Sequence, residues 1–215
     1  MSGPSSRATV KRNAARADYD RATLMAVLAD HHVCHVAYVV DGEPRLIPTL
    51  YFCDADYLYL HGNRQSALLK YMADGGEVCI TVTHTDGVVV ARSGFHCSMN
   101  YRSVTLFGKG EIVEGEAHLK ALDDFVRTLV PGHELAVREP TRQEIAATTV
   151  VRVPLDEMSG KIRTGGPIDD EKDLDSDTWA GVVPLTTVRH EAIPAENLKP
   201  GIGVPDYIDN YQPKG

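Results

Sequence analysis

Leu24, Val27 and Leu28 recur at helical spacing in DYDRATLMAVLADHH, with Asp18 or Asp20 placed to cap, so a helix is predicted from about Arg21 to Ala29. The period then drops to two. VCHVAYVV reads as a strand, the Asp-Gly of DGEP as a hairpin turn, and RLIPTLYFC as a second strand. Pro48 interrupts that second run, which implies an edge, a bulge or a backbone diverted toward a ligand. YLYLH is a third strand, and Ala67 to Met72 form one amphipathic helical face. EVCITVTHT gives a fourth strand from about Val78, with DGVVVARSGFH and the long YRSVTLFGKGEIVE as fifth and sixth. Leu119, Leu122, Phe125, Val126 and Leu129 mark one face of a helix that Pro131-Gly132 ends. PTRQEIAATT holds a short helix with Thr141 and Glu144 at capping-box positions. TVVRVPLDEMSGKI is a seventh strand, with Val151, Val153 and Leu155 inward and Arg152 outward. Short turns between successive strands predict an antiparallel barrel or sandwich, mainly β with α, rather than a βαβ fold.

This pattern divides the chain. Residues 1–17, basic and without periodicity, read as a disordered lead. Residues 18–163 form the folded domain. From 164 to 215 an acidic loop and a Pro-rich extended tail follow, expected to pack on the barrel or on a partner. The 215 residues are 43% hydrophobic, enough for one sizeable core. A net charge of -8 argues against a general nucleic-acid binder. No apolar run reaches the length of a membrane span. Cys34, Cys53, Cys79 and Cys97 form no C-x-x-C pair, and Cys34 and Cys79 sit in apolar runs as small buried hydrophobes, which fits a reducing cytoplasm. The nine histidines show no metal-ligand spacing within one element, so no metal is assigned.

Candidate chemistry concentrates in the turn of YLYLHGNRQSALLKYM. A helix N-terminus there presents free N–H groups to an anion, Gly62 permits close approach, and His61, Asn63, Arg64 and Ser66 add donors. An ordinary capped turn explains the same residues. Two further cues are Arg45 ahead of Ile47-Pro48-Thr49, and Arg102 with Ser103, which point to opposite faces of the long strand.

PRLIPTLY, YLYLHGNRQS, ITVTHTDGVVVARS and NYRSVTLFGKGEIV, in that order, resemble the pyridoxamine 5'-phosphate oxidase-related flavoproteins. The likeness is to the branch that includes nitroimidazole-resistance-type reductases, from about Asp18 to Arg163. It implies a split antiparallel β-barrel with short flanking helices, and a homodimer with FMN in clefts at its interface. Arg45 would match the arginine opening the second strand, and Ile47, Pro48 and Thr49 would pass the isoalloxazine edge. His61, Gly62, Asn63, Arg64 and Ser66 would hold the ribityl phosphate, with Ser103 on the flavin side and Arg102 before it. Two departures stand out. Ala67-Leu68 follow Ser66 where the oxidases have Arg-Lys, and WAGVVPL replaces the Arg-Leu-x-Pro ending that grips pyridoxal phosphate.

The resemblance therefore implies an FMN-dependent oxidoreductase, a reductase of a small molecule fed by NADH or NADPH, rather than a vitamin B6 oxidase. Arg102, Arg45 or Lys161 are candidates to stabilise the reduced flavin, although a solvated strand end explains Lys161 more simply. Hydride transfer needs no protein acid or base, so no catalytic residue is assigned. Trp179 is either an anchor for the tail or an aromatic lid on the flavin cleft. Two other classes stay open: a flavin-binding module for storage or sensing without turnover, and a split barrel that binds deazaflavin or haem.

Overall fold

A computed structural model describes residues 5–212 and residue 214. Strand β1 (Ala17–Asp18) leads into helix α1 (Arg21–Ala29), where the Asp20 carboxylate accepts from Thr23 N–H and Leu24, Val27 and Leu28 are buried. Strands β2 (Val33–Val40) and β3 (Glu43–Cys53) meet at Asp41-Gly42. Both turn residues have positive φ, 54° and 79°, which the tight hairpin turn requires and Asp-Gly tolerates. β4 (Tyr57–Asn63) then passes to helix α2 (Ala67–Ala73).

The structure redraws several boundaries. The predicted fourth and fifth strands are one, β5 (Glu77–Val90). Asp86-Gly87 is a bulge rather than a turn, with the register shifting between Thr85 and Gly87. A Cβ on Gly87 would lie 3.0 Å from both Val182 Cγ1 and Val183 O, so glycine here admits a strand that crosses later. The predicted sixth strand is two, β6 (Ser98–Lys109) and β7 (Glu111–Val113). Gly110 separates them, and a Cβ there would sit 2.3 Å from Met72 O at the end of α2. Helices α3 (Gly115–Leu129) and α4 (Arg142–Ala147) follow, the latter with the expected capping box between Thr141 and Glu144. The predicted seventh strand also divides, into β8 (Thr148–Pro154) and β9 (Met158–Arg163). Strand β10 (Gly181–Pro184) and helix α5 (Asp206–Asp209) lie in the tail.

The sheet has ten antiparallel strands, ordered β1-β9-β6-β5-β2-β3-β4-β8-β7, with β10 added beside β5. It curls into a half-barrel, the split-barrel architecture expected. Two apolar clusters result. The larger fills the curl, where Val36, Leu60, Ile80, Val151 and Val153 are wholly buried beneath α1 and α2. The smaller lies on the other face of β4 and β8, where Phe52, Tyr59 and Val150 meet Ala121 and Phe125 of α3.

The termini are more engaged than the sequence suggests. From Ser5 the lead is packed rather than disordered: Ala8 is buried and Arg7 pairs with Glu157 and Glu77. Residues 1–4 lie outside the described residues. The acidic segment is held by Arg92, whose guanidinium meets Asp169 at 2.9 Å. No described helix is long and apolar enough to cross a membrane.

Candidate functional site

Strand β4 sends alternate side chains to opposite clusters. Leu58 and Leu60 enter the barrel core, whereas Tyr59 joins the cluster under α3, and His61 has the same parity. The His61 ring packs on Phe125 with centroids 3.9 Å apart. Its Nδ1 is buried with no hydrogen-bond partner among the described residues. Burial pushes its pKa below the ordinary histidine value, with neither a charge nor a hydrogen bond contributing. An orphaned buried nitrogen costs free energy unless a ligand satisfies it.

His61 opens onto a cavity of about 710 Å³ between α3, α4 and β4. Leu119, Leu122, Val126, Val137 and Ile145 give it apolar walls, and Arg138 and Glu144 stand among its polar lining. Arg138 binds Glu144 through two bonds of 2.5 and 2.8 Å, and this pairing, with the capping box, holds the Glu144 carboxyl down to about 2. The cavity explains a departure in α3. Of its predicted apolar face only Phe125 is buried, while Leu119 and Leu129 are 46% and 38% exposed. The face is wider than the core beneath it, and Leu119, Leu122 and Val126 line the cavity. The sequence pattern marks this face of α3 and assigns nothing to the stretch between Gly132 and Pro140. The signal is Val137, an apolar residue inside a polar loop that lines the cavity.

The twelve residues expected at a flavin lie on β3, on β4 and the turn into α2, on β6 and in the tail. His61 faces the cavity, and the opposite parity puts Gly62 toward α2, where a Cβ would lie 3.2 Å from Leu69 Cδ1. Two side chains of the turn already accept local bonds: Asn63 Oδ1 from Gln65 N–H at 2.8 Å and Ser66 Oγ from Leu69 N–H at 3.4 Å. Arg64 is exposed there, its backbone N–H bonded to Ala147 O at 2.9 Å. Arg102 is drawn into an ion-pair cluster, 2.9 Å from Asp86 and 3.0 Å from Asp30, and those bonds raise its pKa. Ser103 Oγ donates to Lys161 O at 3.2 Å. Trp179 is 63% exposed and leans on Gly181.

Arg45, Ile47, Pro48 and Thr49 run along the part of β3 that pairs only with β2. Among the described residues their other edge meets no strand, and Arg45 pairs with Glu43 at 3.1 Å. Pro48 thus sits on a free edge, as a proline in a strand should. Leu46 and Ile47 are 60% and 41% exposed beside Val39 at 55%.

One further arrangement surrounds His61. Phe125 meets Phe52 edge-on at 4.6 Å, Phe52 stacks on Tyr59 at 4.5 Å, and Tyr59 meets Tyr57 at 6.2 Å. The Tyr59 hydroxyl donates to Asp54 Oδ2 at 2.7 Å. Among the described residues no group of three or more His, Cys, Asp and Glu side chains is set to hold a metal ion.

A family model described as pyridoxamine 5'-phosphate oxidase matches residues 20–162. No curated protein matches the chain. Among solved structures, the flavocytochrome Anf3 from Azotobacter vinelandii is 34% identical, with 99% of this chain and 100% of that one covered and a TM-score of 0.93. The FAD and heme binding protein from Mycobacterium smegmatis is also 34% identical, covering 93% of this chain and 98% of that one at a TM-score of 0.89. A Bacteroides thetaiotaomicron protein assigned to 5-nitroimidazole antibiotic resistance is 24% identical over 68% of this chain and 86% of its own, at a TM-score of 0.57. That last likeness concerns the fold alone.

Proposed function

We propose that this chain, which belongs to the pyridoxamine 5'-phosphate oxidase family, is a redox protein that carries a flavin and a haem. The observation that carries the haem half is His61, a half-buried imidazole whose Nδ1 has no partner among the described residues, at a cavity of about 710 Å³ with apolar walls and a rim that includes Asp123, Glu134, Glu139 and Glu144. A haem needs a flat apolar slot, one strong axial ligand and cations for its propionates. His61 would supply the ligand, because burial favours the neutral, metal-binding form of imidazole. Leu122, Val126 and Ile145 would cover the macrocycle and exclude water. Arg138 would bind a propionate in exchange for Glu144, one carboxylate for another. Two relatives at 34% identity, one called a flavocytochrome and the other an FAD and heme binding protein, support this reading.

The flavin half rests on the family and on the open β3 edge. Arg45, Ile47 and Thr49 would contact the ring there, with a second copy of the chain closing the cleft over the exposed Leu46 and Val39. The FAD named for the M. smegmatis relative favours FAD over the FMN that the sequence resemblance implies. Arg102 is a weaker flavin candidate than its position suggested, since two carboxylates already occupy its guanidinium. Bound together, a flavin and a haem would couple a two-electron donor such as NADH or NADPH to one-electron chemistry on a small molecule. The four free thiols fit a reducing cytoplasm.

The test is a visible spectrum of the purified protein after haem and flavin supplementation, with mass identification of what heat releases. A Soret band together with flavin bands supports the reading. A yellow protein that takes up no haem leaves a simple flavoprotein, and a colourless protein that takes up neither removes the redox function.

A further inference from the structure

We propose that the cavity where strands β2 and β5 part is a binding site for a small aromatic carboxylate, held by Arg45 and the Tyr38 hydroxyl. The site itself needs neither cofactor. The role of its ligand, as the small molecule of the redox reaction, rests on the flavin reading above.

Three observations carry it. The first is the place. The β2–β5 ladder ends at Ala37 and Cys79. Beyond that pair Tyr38 and Val39 on one strand, and Val78 and Glu77 on the other, border a cavity of about 370 Å³. That is toward the lower end of small-molecule sites, about 300–1,000 Å³, and calls for a compact ligand. Rings from three elements line it. Tyr38 meets Tyr71 of α2 with centroids 5.2 Å apart, and Phe107 of β6 carries the Arg7 guanidinium 5.0 Å from its centroid. Walls of this kind favour a flat aromatic body.

The second is a donor without an acceptor. Tyr38 is 6% exposed. A tyrosine so buried normally gives its O–H to a partner. The hydroxyls of Tyr51, Tyr59 and Tyr71 each donate to a protein oxygen, whereas among the described residues no protein oxygen meets that of Tyr38. Tyr38 and Arg45 stand opposite one another in the β2–β3 register, so their side chains are neighbours on one face of the sheet. A hydroxyl and a guanidinium side by side offer donors to one acceptor group.

The third is charge. Two arginines and one acid line the cavity: Arg7, Arg45 and Glu77. Glu77 is engaged by Arg7, which also binds Glu157. Arg45 pairs with Glu43 at 3.1 Å, and with side chains 50% and 73% exposed such a pair contributes little. Arg45 can therefore trade Glu43 for the carboxylate of a ligand, in a forked pair to which Tyr38 adds a hydrogen bond. The same groups set the charge of the ligand. One negative charge is met by Arg45, but the second charge of a phosphate would face Glu77, with Glu43 and Glu157 held on the same two arginines. An amine would meet two guanidinium groups. Arg45 also opens the β3 run assigned to the flavin, so the ligand would lie beside the ring, where the small molecule that exchanges electrons with it belongs.

The experiment titrates benzoate into the full chain by calorimetry, with benzamide as the neutral counterpart and benzylamine as the cation. A visible spectrum of the same sample records its flavin content. Benzoate should bind saturably, benzamide about tenfold more weakly, and benzylamine not at all. Tyr38→Phe keeps the ring and should weaken benzoate about tenfold, and Arg45→Gln should erase the preference for benzoate over benzamide. A second readout locates the ligand. Cys79 lines the cavity, and Cys97 is exposed and does not. Saturating benzoate should slow the modification of Cys79 by N-ethylmaleimide, followed by mass spectrometry, and leave the rate at Cys97 unchanged. No saturable binding, equal affinity for benzoate and benzamide, or a Cys79 rate that benzoate does not alter overturns the site. Binding with Cys79 protection in a sample without flavin bands keeps the site and removes its link to the redox reaction. A flavin-loaded sample that binds no benzoate sinks the site and leaves the flavin reading standing.

Discussion

At the scale of the residue, the haem reading stands on His61. His61→Ala should lose the Soret shift on titration with haem while the protein stays folded, and added imidazole should restore part of it by filling the vacated space. A shift equal to that of the unaltered chain would assign the haem elsewhere. His61 also carries a pH dependence, shared with His31 and His32, since burial holds all three below the ordinary value of 6.5. The sign follows from proton counting. As pH falls through 6.5 the unfolded chain binds protons that the folded one still excludes, so stability is whole above that pH and is lost below it. The urea midpoint should therefore drop between about pH 7.5 and about pH 5.5. An unchanged midpoint across that window would show that these imidazoles are not excluded from protonation. The sequence pattern singles out His61 as part of a phosphate turn. It grouped His61 with Gly62 and Ser66 because they are adjacent, whereas strand alternation sends His61 under α3 and Gly62 toward Leu69. Period two was visible in the sequence; what lay on each side of β4 was not.

At the scale of the element, α4 walls the cavity and is only six residues long, so its cap matters more than its propensity. Thr141 Oγ1 accepts from Glu144 N–H at 3.2 Å, and Glu144 Oε2 accepts from Thr141 N–H at 2.7 Å. Thr141→Ala should cost about 1 kcal/mol and lower Tm by about 2–4 °C, with faster haem loss as Ile145 loosens. A thermal melt and haem transfer to an apo-acceptor measure both, and an unchanged transfer rate would separate α4 from the site. That cap was legible as Thr141-x-x-Glu144, because its chemistry is local. The strand boundaries were not, because distant contacts set them. Asp86-Gly87 reads as a turn until β10 arrives to need the space, and nothing within YRSVTLFGKGEIVE announces that Gly110 must pass Met72 O. Gly110→Ala tests that reading. A Cβ would meet backbone rather than a flexible side-chain end, so a loss of about 1–3 kcal/mol is expected in denaturant melts.

At the scale of the whole molecule, one face of the half-barrel is unfinished. Val33, Val39 and Leu46 are 39%, 55% and 60% exposed on adjacent strands. The register Ala37↔Leu46 and His35↔Pro48 puts their side chains on one face. Exposed apolar side chains on one sheet face are where an interface is expected. Here it borders the edge where Arg45 to Thr49 would meet the flavin, so the flavin cleft and the dimer should stand or fall together. The His61 cavity is lined by α3, α4, β4 and the 134–140 segment of a single copy, so haem uptake should not depend on association. Leu46→Glu separates the two. Sedimentation should show a monomer in place of a dimer, flavin affinity should collapse, and the Soret band should persist. Loss of both cofactors together would mean that the haem also needs the second copy, and a dimer that keeps its flavin would place the interface on another face.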